Sequence, residues 1–243
     1  MFSTYFPSLS SDQLTQLQTL ADTARQWNDK INIISRKDID NIEINHILHS
    51  LSIAKYIRFA PGSVVIDLGT GGGFPALPLA VMFPDVQFHL VDRVGKKLRV
   101  AREIAEACGL SNVSFQHGDF SECRLKADFI ISRAVMPQAD LLRLARKNIS
   151  SRQFNALPNG LISLKGGDLT AELSDVAVPS EVVDISTYFS EPFFSTKKIV
   201  FTPLYPNVMS APPKAPPSPP GKGPGLGFPP SPSGEGRGGA INL

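Results

Sequence analysis

Apolar residues at Leu14, Leu17, Leu20, Ala21 and Ala24 fall three or four positions apart, and Trp27 continues the same stripe. That spacing predicts a helix opening at Asp12, with Ser10 or Ser11 as its cap. A second helical stretch is expected from about Ile39 to Ile57, with Ile42, Ile47, Leu48, Leu51 and Ala54 on its apolar face. From Gly62 the rhythm changes. Short apolar or β-branched runs at Val64–Leu68, Phe88–Asp92, Val113–Gln116, Phe129–Ser132 and Leu161–Leu164 read as strands. Helical runs at Ala76–Met82, Lys96–Cys108 and Gln138–Lys147 separate most of them. Alternating strand and helix predict an α/β fold: a doubly wound, mostly parallel sheet with helices on both faces. Val182–Ile185 and Lys198–Phe201 have no long helix between them and are expected to close the sheet as an antiparallel pair, for seven strands in all.

The chain thus divides into a helical extension (1–61), an α/β domain (62–206) and a tail (207–243). The tail is rich in Pro, Gly and Ser without a period, as in Pro216-Pro217-Ser218-Pro219-Pro220. Such a segment buries too little apolar surface to offset its ordering entropy and is expected to be disordered. Net charge is +2, and Lys214, Lys222, Glu235 and Arg237 of the tail account for all of it. Any affinity for nucleic acid must therefore come from a local patch. The best candidate is Arg93, Lys96, Lys97, Arg99 and Arg102, which could follow a phosphate backbone or simply form the solvated face of a helix. Two cysteines, Cys108 and Cys123, show no disulfide or zinc spacing, so no metal is expected. No apolar run is long enough for a membrane span, and the first residues lack a basic, apolar leader pattern. A cytoplasmic monomer without a membrane partner is the expectation.

Candidate chemistry concentrates at Val65-Ile66-Asp67-Leu68-Gly69-Thr70-Gly71-Gly72-Gly73-Phe74-Pro75. A glycine cluster between a strand and a helix lets a ligand approach the backbone closely. At the carboxyl end of the first strand, it also lies where open α/β sheets bind ligands. Pro75 suits the first turn of the following helix. A dinucleotide fingerprint fails when counted from Gly69, because Phe74 takes the last position; counted from Gly71 its looser form survives at Ala76, so NAD stays open. Asp67, inside the strand, argues for a ligand with a cationic end instead. Asp92 ends the second strand, where an acid can accept from ribose hydroxyls or cap the next helix. Gly118 and Asp119 end the third strand, beside the place expected for a purine.

These stretches resemble motif I of class I methyltransferases, and more closely the bacterial 16S rRNA guanine-N7 methyltransferases, the glucose-inhibited division protein B (RsmG) family. Trp27-Asn28-Asp29-Lys30-Ile31-Asn32, the Asp67–Pro75 loop, Ser132-Arg133-Ala134 and Leu164-Lys165-Gly166 carry the resemblance. Asn45-His46-Ile47-Leu48-His49-Ser50 departs from the Arg-His-x-Leu-Asp-Ser common in that family, at Asn45 and His49. The resemblance implies a Rossmann-like fold and S-adenosylmethionine as cofactor, contacted by Gly69, Phe74, Gly118, Asp119 and Arg133, with Asp67, Gly71 and Asp92 beside it. It implies 16S rRNA, or a small-subunit precursor, as partner. Arg36, Arg93, Lys96, Lys97 and Lys165 are the candidate RNA contacts, with His46 read as structural. Arg133 is expected at the cleft mouth.

No catalytic base is expected, because guanine N7 carries an in-plane lone pair and no proton. Positioning donor and acceptor in line then supplies the catalysis. Neither cysteine lies in a strand-end loop suited to pyrimidine attack. Ser132-Arg133-Ala134-Val135 also stands where amine methyltransferases resemble a Pro-Pro-aromatic motif. A methyltransferase for a small molecule or protein, or a nucleotide-binding module without transferase activity, are the alternatives.

Overall fold

Seven strands form one sheet in the order β3-β2-β1-β4-β5-β7-β6. They are β1 (Val64–Leu68), β2 (Gln87–Asp92), β3 (Val113–His117), β4 (Phe129–Arg133), β5 (Gly160–Gly166), β6 (Glu181–Asp184) and β7 (Lys197–Pro203). The structure, a computed structural model, describes residues 1–35, 37–133 and 135–205. Arg36 and the tail from 207, both singled out in the sequence, lie outside the described residues. The first five strands pair in parallel, and β7 runs antiparallel between β5 and β6, the closing pair expected from the sequence. The order reverses between β2-β1 and β4, which makes the carboxyl ends of β1 and β4 the switch point where such sheets open a crevice.

Side chains alternate across a strand, and each face has its own cover. Val65, Phe88, Leu90, Phe129, Ile131, Ile162 and Leu164 pack with α2 (Ser11–Asn28), α3 (His49–Tyr56), α4 (Ala76–Met82) and α5 (Gly95–Ala107). A short α1 (Phe2–Tyr5) joins the same cluster through Phe2. Ile66, Leu68, Val91, Ile130 and Leu161 pack on the other side with Leu141, Leu142 and Ala145 of α6 (Gln138–Ala145). The helical extension therefore shares one core with the sheet. Neither the short α1 nor α7 (Thr170–Ser174) shows in the hydrophobic pattern, since each holds about one turn.

Helix α2 begins one residue earlier than expected. Ser10 is its cap: the Ser10 hydroxyl accepts from Gln13 N, and the Gln13 side chain accepts from Ser10 N. Pro75 stands at the cap of α4 rather than in its first turn, a place where a missing N–H is equally harmless. The stretch from Ile39 to Ile57 is not one α-helix. A 3-10 turn (Ile39–Asn41) leads into a π-helix (Glu43–Leu48) and then α3. Asn45, His46 and His49 of this stretch line one cavity at the sheet's crevice.

After α2 the chain doubles back across the glycine loop. The Asn28 side-chain oxygen, buried, accepts from both Ile33 N and Ile34 N at 2.9 Å. This holds Ile33 against Gly72, where an added Cβ would meet Ile33 Cβ at 2.9 Å. Asn28→Ala leaves two backbone donors without their acceptor, at a cost of roughly 1–3 kcal/mol each where water cannot reach them. The expected result is a lower denaturation midpoint together with faster amide exchange at Ile33 and Ile34. Unchanged exchange at those amides would show that something else holds the segment.

Candidate functional site: a two-part cleft over the glycine loop

The glycine loop is built from the strand outward. Gly69 N and Thr70 N donate to Val91 O, at 2.9 and 3.2 Å, so the turn is tied to the neighbouring strand. Gly69, Gly71 and Gly73 adopt φ of +74°, +57° and +100°, which L residues with a side chain rarely adopt. Gly72 differs: its glycine serves the close approach of Ile33 described above. Asp67 lies behind this loop and not against a ligand. It is fully buried, and its Oδ2 accepts from Thr70 Oγ1 at 2.7 Å and Ala76 N at 3.1 Å. Burial pushes its carboxyl up, to about 7, although both donors favour the ionised form. Its Oδ1 has no partner. The side chain thus ties the strand end to the start of α4, and it lines neither cavity of the cleft.

Asp92 is the hinge of the site. Its Oδ2 accepts from Gly71 N and its Oδ1 from Val94 N, both at 2.7 Å. The capping and ligand-facing readings therefore coexist, because Asp92 also lines two adjoining cavities. A carboxylate has about four acceptor positions, so each oxygen keeps one free. The smaller cavity, ≈ 290 Å³, lies between Val94, Gly118, Asp119, Met136 and Leu144. Gly118 there has φ +150°. Asp119 uses one oxygen to accept from Ser121 N at 2.8 Å and sits 3.7 Å from Arg93.

The larger cavity, ≈ 610 Å³, is lined by Gly69–Gly72, Phe74 and Arg133 and also by Asp38, His49 and Lys197. Arg133, half-buried, lines this cavity. Its guanidinium stands 5.3 Å from the Phe74 ring centroid, and its Nη2 donates to His46 Nδ1 at 2.9 Å. Arginine can only donate, so His46 must be neutral with its proton on Nε2. Among the described residues Arg133 makes no ion pair, and burial lowers its pKa to about 10, which leaves it cationic. His46 also lies edge-on to Phe74 at 5.5 Å. Sequence reasoning undervalued it, since its partner is 87 residues away.

The candidate phosphate contacts separate. Lys97 lines both cavities and Arg93 the smaller one, whereas Lys96 points to solvent. Arg99 is exposed beside Glu103, and Arg102 lies on the Phe115 ring. Lys165 is not free: its Nζ donates to Met136 O at 2.7 Å and pairs with Glu172 at 2.8 Å, with the side chain 8 % exposed. Lys165 also lines the larger cavity, and an RNA phosphate there would have to compete with the half-exposed Glu172 for its ammonium.

Burial and the nearby Arg133 lower the His46 pKa to about 3, and His49 is lowered in the same way by burial. The unfolded chain takes up these protons near pH 6.5, and the folded chain refuses them until far lower. Their contribution to stability is therefore complete above pH 6.5 and is lost as the pH falls toward 3. Asp67 works the other way, its folded carboxyl binding a proton below about 7. A comparison of His46→Gln with wild type isolates the first effect. Between pH 7.5 and 5, the wild type is expected to lose roughly 1–2 kcal/mol more than the variant. Equal losses in denaturant titrations would show that His46 titrates normally.

Comparison with known proteins bears on what this cleft serves. The family model described as rRNA small subunit methyltransferase G matches residues 13–174. A protein of that name from Phocaeicola vulgatus is 55% identical over 200 residues, which cover 82% of this chain and 96% of the relative. The chain belongs to the rRNA small subunit methyltransferase G family. Other relatives of the same name are 49% identical in Porphyromonas gingivalis (82% of this chain, 91% of the relative) and 42% in Cytophaga hutchinsonii (83% and 97%). Among solved structures, a point mutant of MtNAS in complex with S-adenosylmethionine matches with a TM-score of 0.51 at 13% identity, over 83% of this chain and 76% of that one. That likeness concerns the fold.

S-Adenosylmethionine, the cofactor of the family, fits the donor set of the cleft. Asp92 offers free carboxylate lone pairs to ligand hydroxyls. The apolar walls of the smaller cavity suit a flat ring, and the unpaired Arg133 in the larger one suits a carboxylate. No helix among the described residues is long and apolar enough to cross a membrane.

Proposed function

We propose that this protein transfers a methyl group from S-adenosylmethionine to N7 of a guanine in 16S rRNA, in the naked RNA or a small-subunit precursor. Membership of the family makes the chain an S-adenosylmethionine-dependent rRNA methyltransferase; the ring nitrogen and the 16S site are the finer reading. The single observation that carries it is the cleft's composition next to the glycine loop. Arg133 is cationic and His46 is held neutral with its Nδ1 lone pair already used. The only carboxylates lining the larger cavity among the described residues are Asp38 and Asp92. Asp92 is bound to Gly71 and Val94, and Asp38 to Ser35 and Asn45. Asp38 is held below the ordinary carboxylate range, Asp92 is taken up by two backbone N–H groups, and burial holds His49, which also lines this cavity, well below the ordinary imidazole range. These are weak bases for an acceptor that must first lose a proton, and guanine N7 has none to lose.

The cofactor supplies an electrophilic methyl on a sulfonium. What the chain's own residues do is hold and orient. We assign Gly69, Gly71 and Phe74 to the amino-acid end, with Arg133 for its carboxylate, Asp92 to the ribose, and Gly118 and Asp119 to the adenine. Asp67 supports the loop from behind. Ile33 packs on Gly72 and closes that side of the loop. Lys97 and Arg93, at the edge of the cleft, are the proposed phosphate contacts, and the protein is proposed to act as a cytoplasmic monomer. The test is mass-spectrometric mapping of 16S rRNA in cells lacking this protein. Loss of one 7-methylguanosine, restored by the purified enzyme with S-adenosylmethionine, is the expected result. Restored methylation at an exocyclic amine or a pyrimidine carbon would reject the ring-nitrogen reading.

A further inference from the structure

We infer that Asp38, which lines the larger cavity, reads the Watson–Crick edge of the acceptor base and makes the site selective for guanine. The inference rests on the guanine-N7 reading above. With the ribose at Asp92 and the amino-acid end over Gly69–Gly71, the rest of the larger cavity is bounded by Asp38, Asn45, His49, Phe193 and Lys197. Phe193 is half-buried, with Lys197 Nζ 4.7 Å from its ring centroid, and a base can stack on such an aromatic wall. The methyl donor end lies on the glycine-loop side. N7 must face it, and O6 lies on that same edge of guanine, within the province of the Arg133 donors. The opposite edge, with N1–H and the N2 amino group, then points away from the loop. It meets Asp38.

Asp38 is prepared for that role by its neighbours. Its Oδ2 accepts from Ser35 Oγ at 2.6 Å and its Oδ1 from Asn45 Nδ2 at 3.0 Å, so both oxygens are fixed in place and each keeps a free lone pair. The Ser35 hydroxyl also keeps the carboxyl below its ordinary range, so it remains an acceptor only. Two parallel donors on guanine match two fixed acceptor oxygens. Adenine would bring its N1 lone pair against the carboxylate, and a site built to pair a polar edge rejects a base that lacks it. The Asn45 amide, which stands where the family commonly has Arg, acts here as the clamp on Asp38.

The experiment uses the full chain, S-adenosylmethionine and a fragment of the 16S decoding region whose target base is either guanine or inosine. Inosine lacks the N2 amino group and keeps N7. The wild type is expected to lose ten- to hundredfold in kcat/KM on inosine. Asp38→Asn is expected to lose a similar factor on guanine, to lose almost nothing further on inosine, and to bind S-adenosylhomocysteine as the wild type does. That non-additivity would not arise from a structural role. Additive losses, or a wild type that methylates both substrates equally, would overturn the assignment; the second outcome needs no variant, so an unstable Asp38→Asn does not protect the idea. Asp38→Glu, which keeps the carboxylate, is expected to retain a preference for guanine. Failure of the wild type to methylate guanine N7 at all would instead reject the underlying function.

Discussion

Gly71→Asp is expected to weaken S-adenosylhomocysteine binding by more than a hundredfold and to leave a folded protein. Gly71 has φ +57°, and a Cβ there would meet nothing within 4 Å. The backbone penalty is therefore the ordinary one for the left-handed region, about 1–2 kcal/mol, and Asp is among the side chains that tolerate it best. The new carboxylate would stand in the cleft beside Asp92, whose Oδ2 accepts from Gly71 N. Two like charges at one ligand site repel each other and occupy the space of the cofactor. Titration calorimetry with S-adenosylhomocysteine, alongside thermal melting, separates the two effects. Gly71→Ala bears at least as large a backbone penalty without the charge and is expected to retain most of the affinity. Near-normal affinity in the Asp variant would remove the loop from the cofactor site.

Arg133→Met is the second large effect, and its two parts have opposite signs. Among the described residues the Arg133 guanidinium has a neutral partner in His46 and an aromatic neighbour in Phe74, but no carboxylate within ion-pair distance. A partly buried cation without an anion is costly in the free protein, and a side chain of similar shape without charge removes that cost. The variant is therefore expected to melt within a few degrees of the wild type, or above it. Its affinity for S-adenosylhomocysteine should fall ten- to a hundredfold, the worth of a charge-assisted hydrogen bond of roughly 1.5–3 kcal/mol. Its affinity for 5′-methylthioadenosine, which lacks the carboxylate, should not change. An equal fall for both ligands would mean that Arg133 shapes the cleft rather than pairing with the amino-acid end.

Much of the fold was legible because the physics that sets it is local. The β-branched run at Val64–Leu68 marked a strand, and the structure then divides Val65 and Ile66 between the two core clusters on its opposite faces. The glycines of the loop were legible for the same reason, with φ values at Gly69, Gly71 and Gly73 that require them. Less was legible where a residue's partner is remote. Asp67 and Asp92 looked alike as acids near a glycine turn, yet one is enclosed behind the loop and the other opens on both cavities. Lys165 looked like a surface cation until Glu172, on a one-turn helix with no periodicity of its own, closed over it.

Taken alone, then, the amino-acid order determined the strands and most helices, the position of the ligand turn and the family, since periodicity, turn chemistry and motif spacing all act within a few residues. The tertiary structure decided what the cleft is made of. Its second wall arises only when the segment after Asn28 folds back over Gly72 and the π-helical turn carries His46 to Arg133. Those contacts join residues far apart along the chain, and their geometry depends on how the packed core sets one element against another.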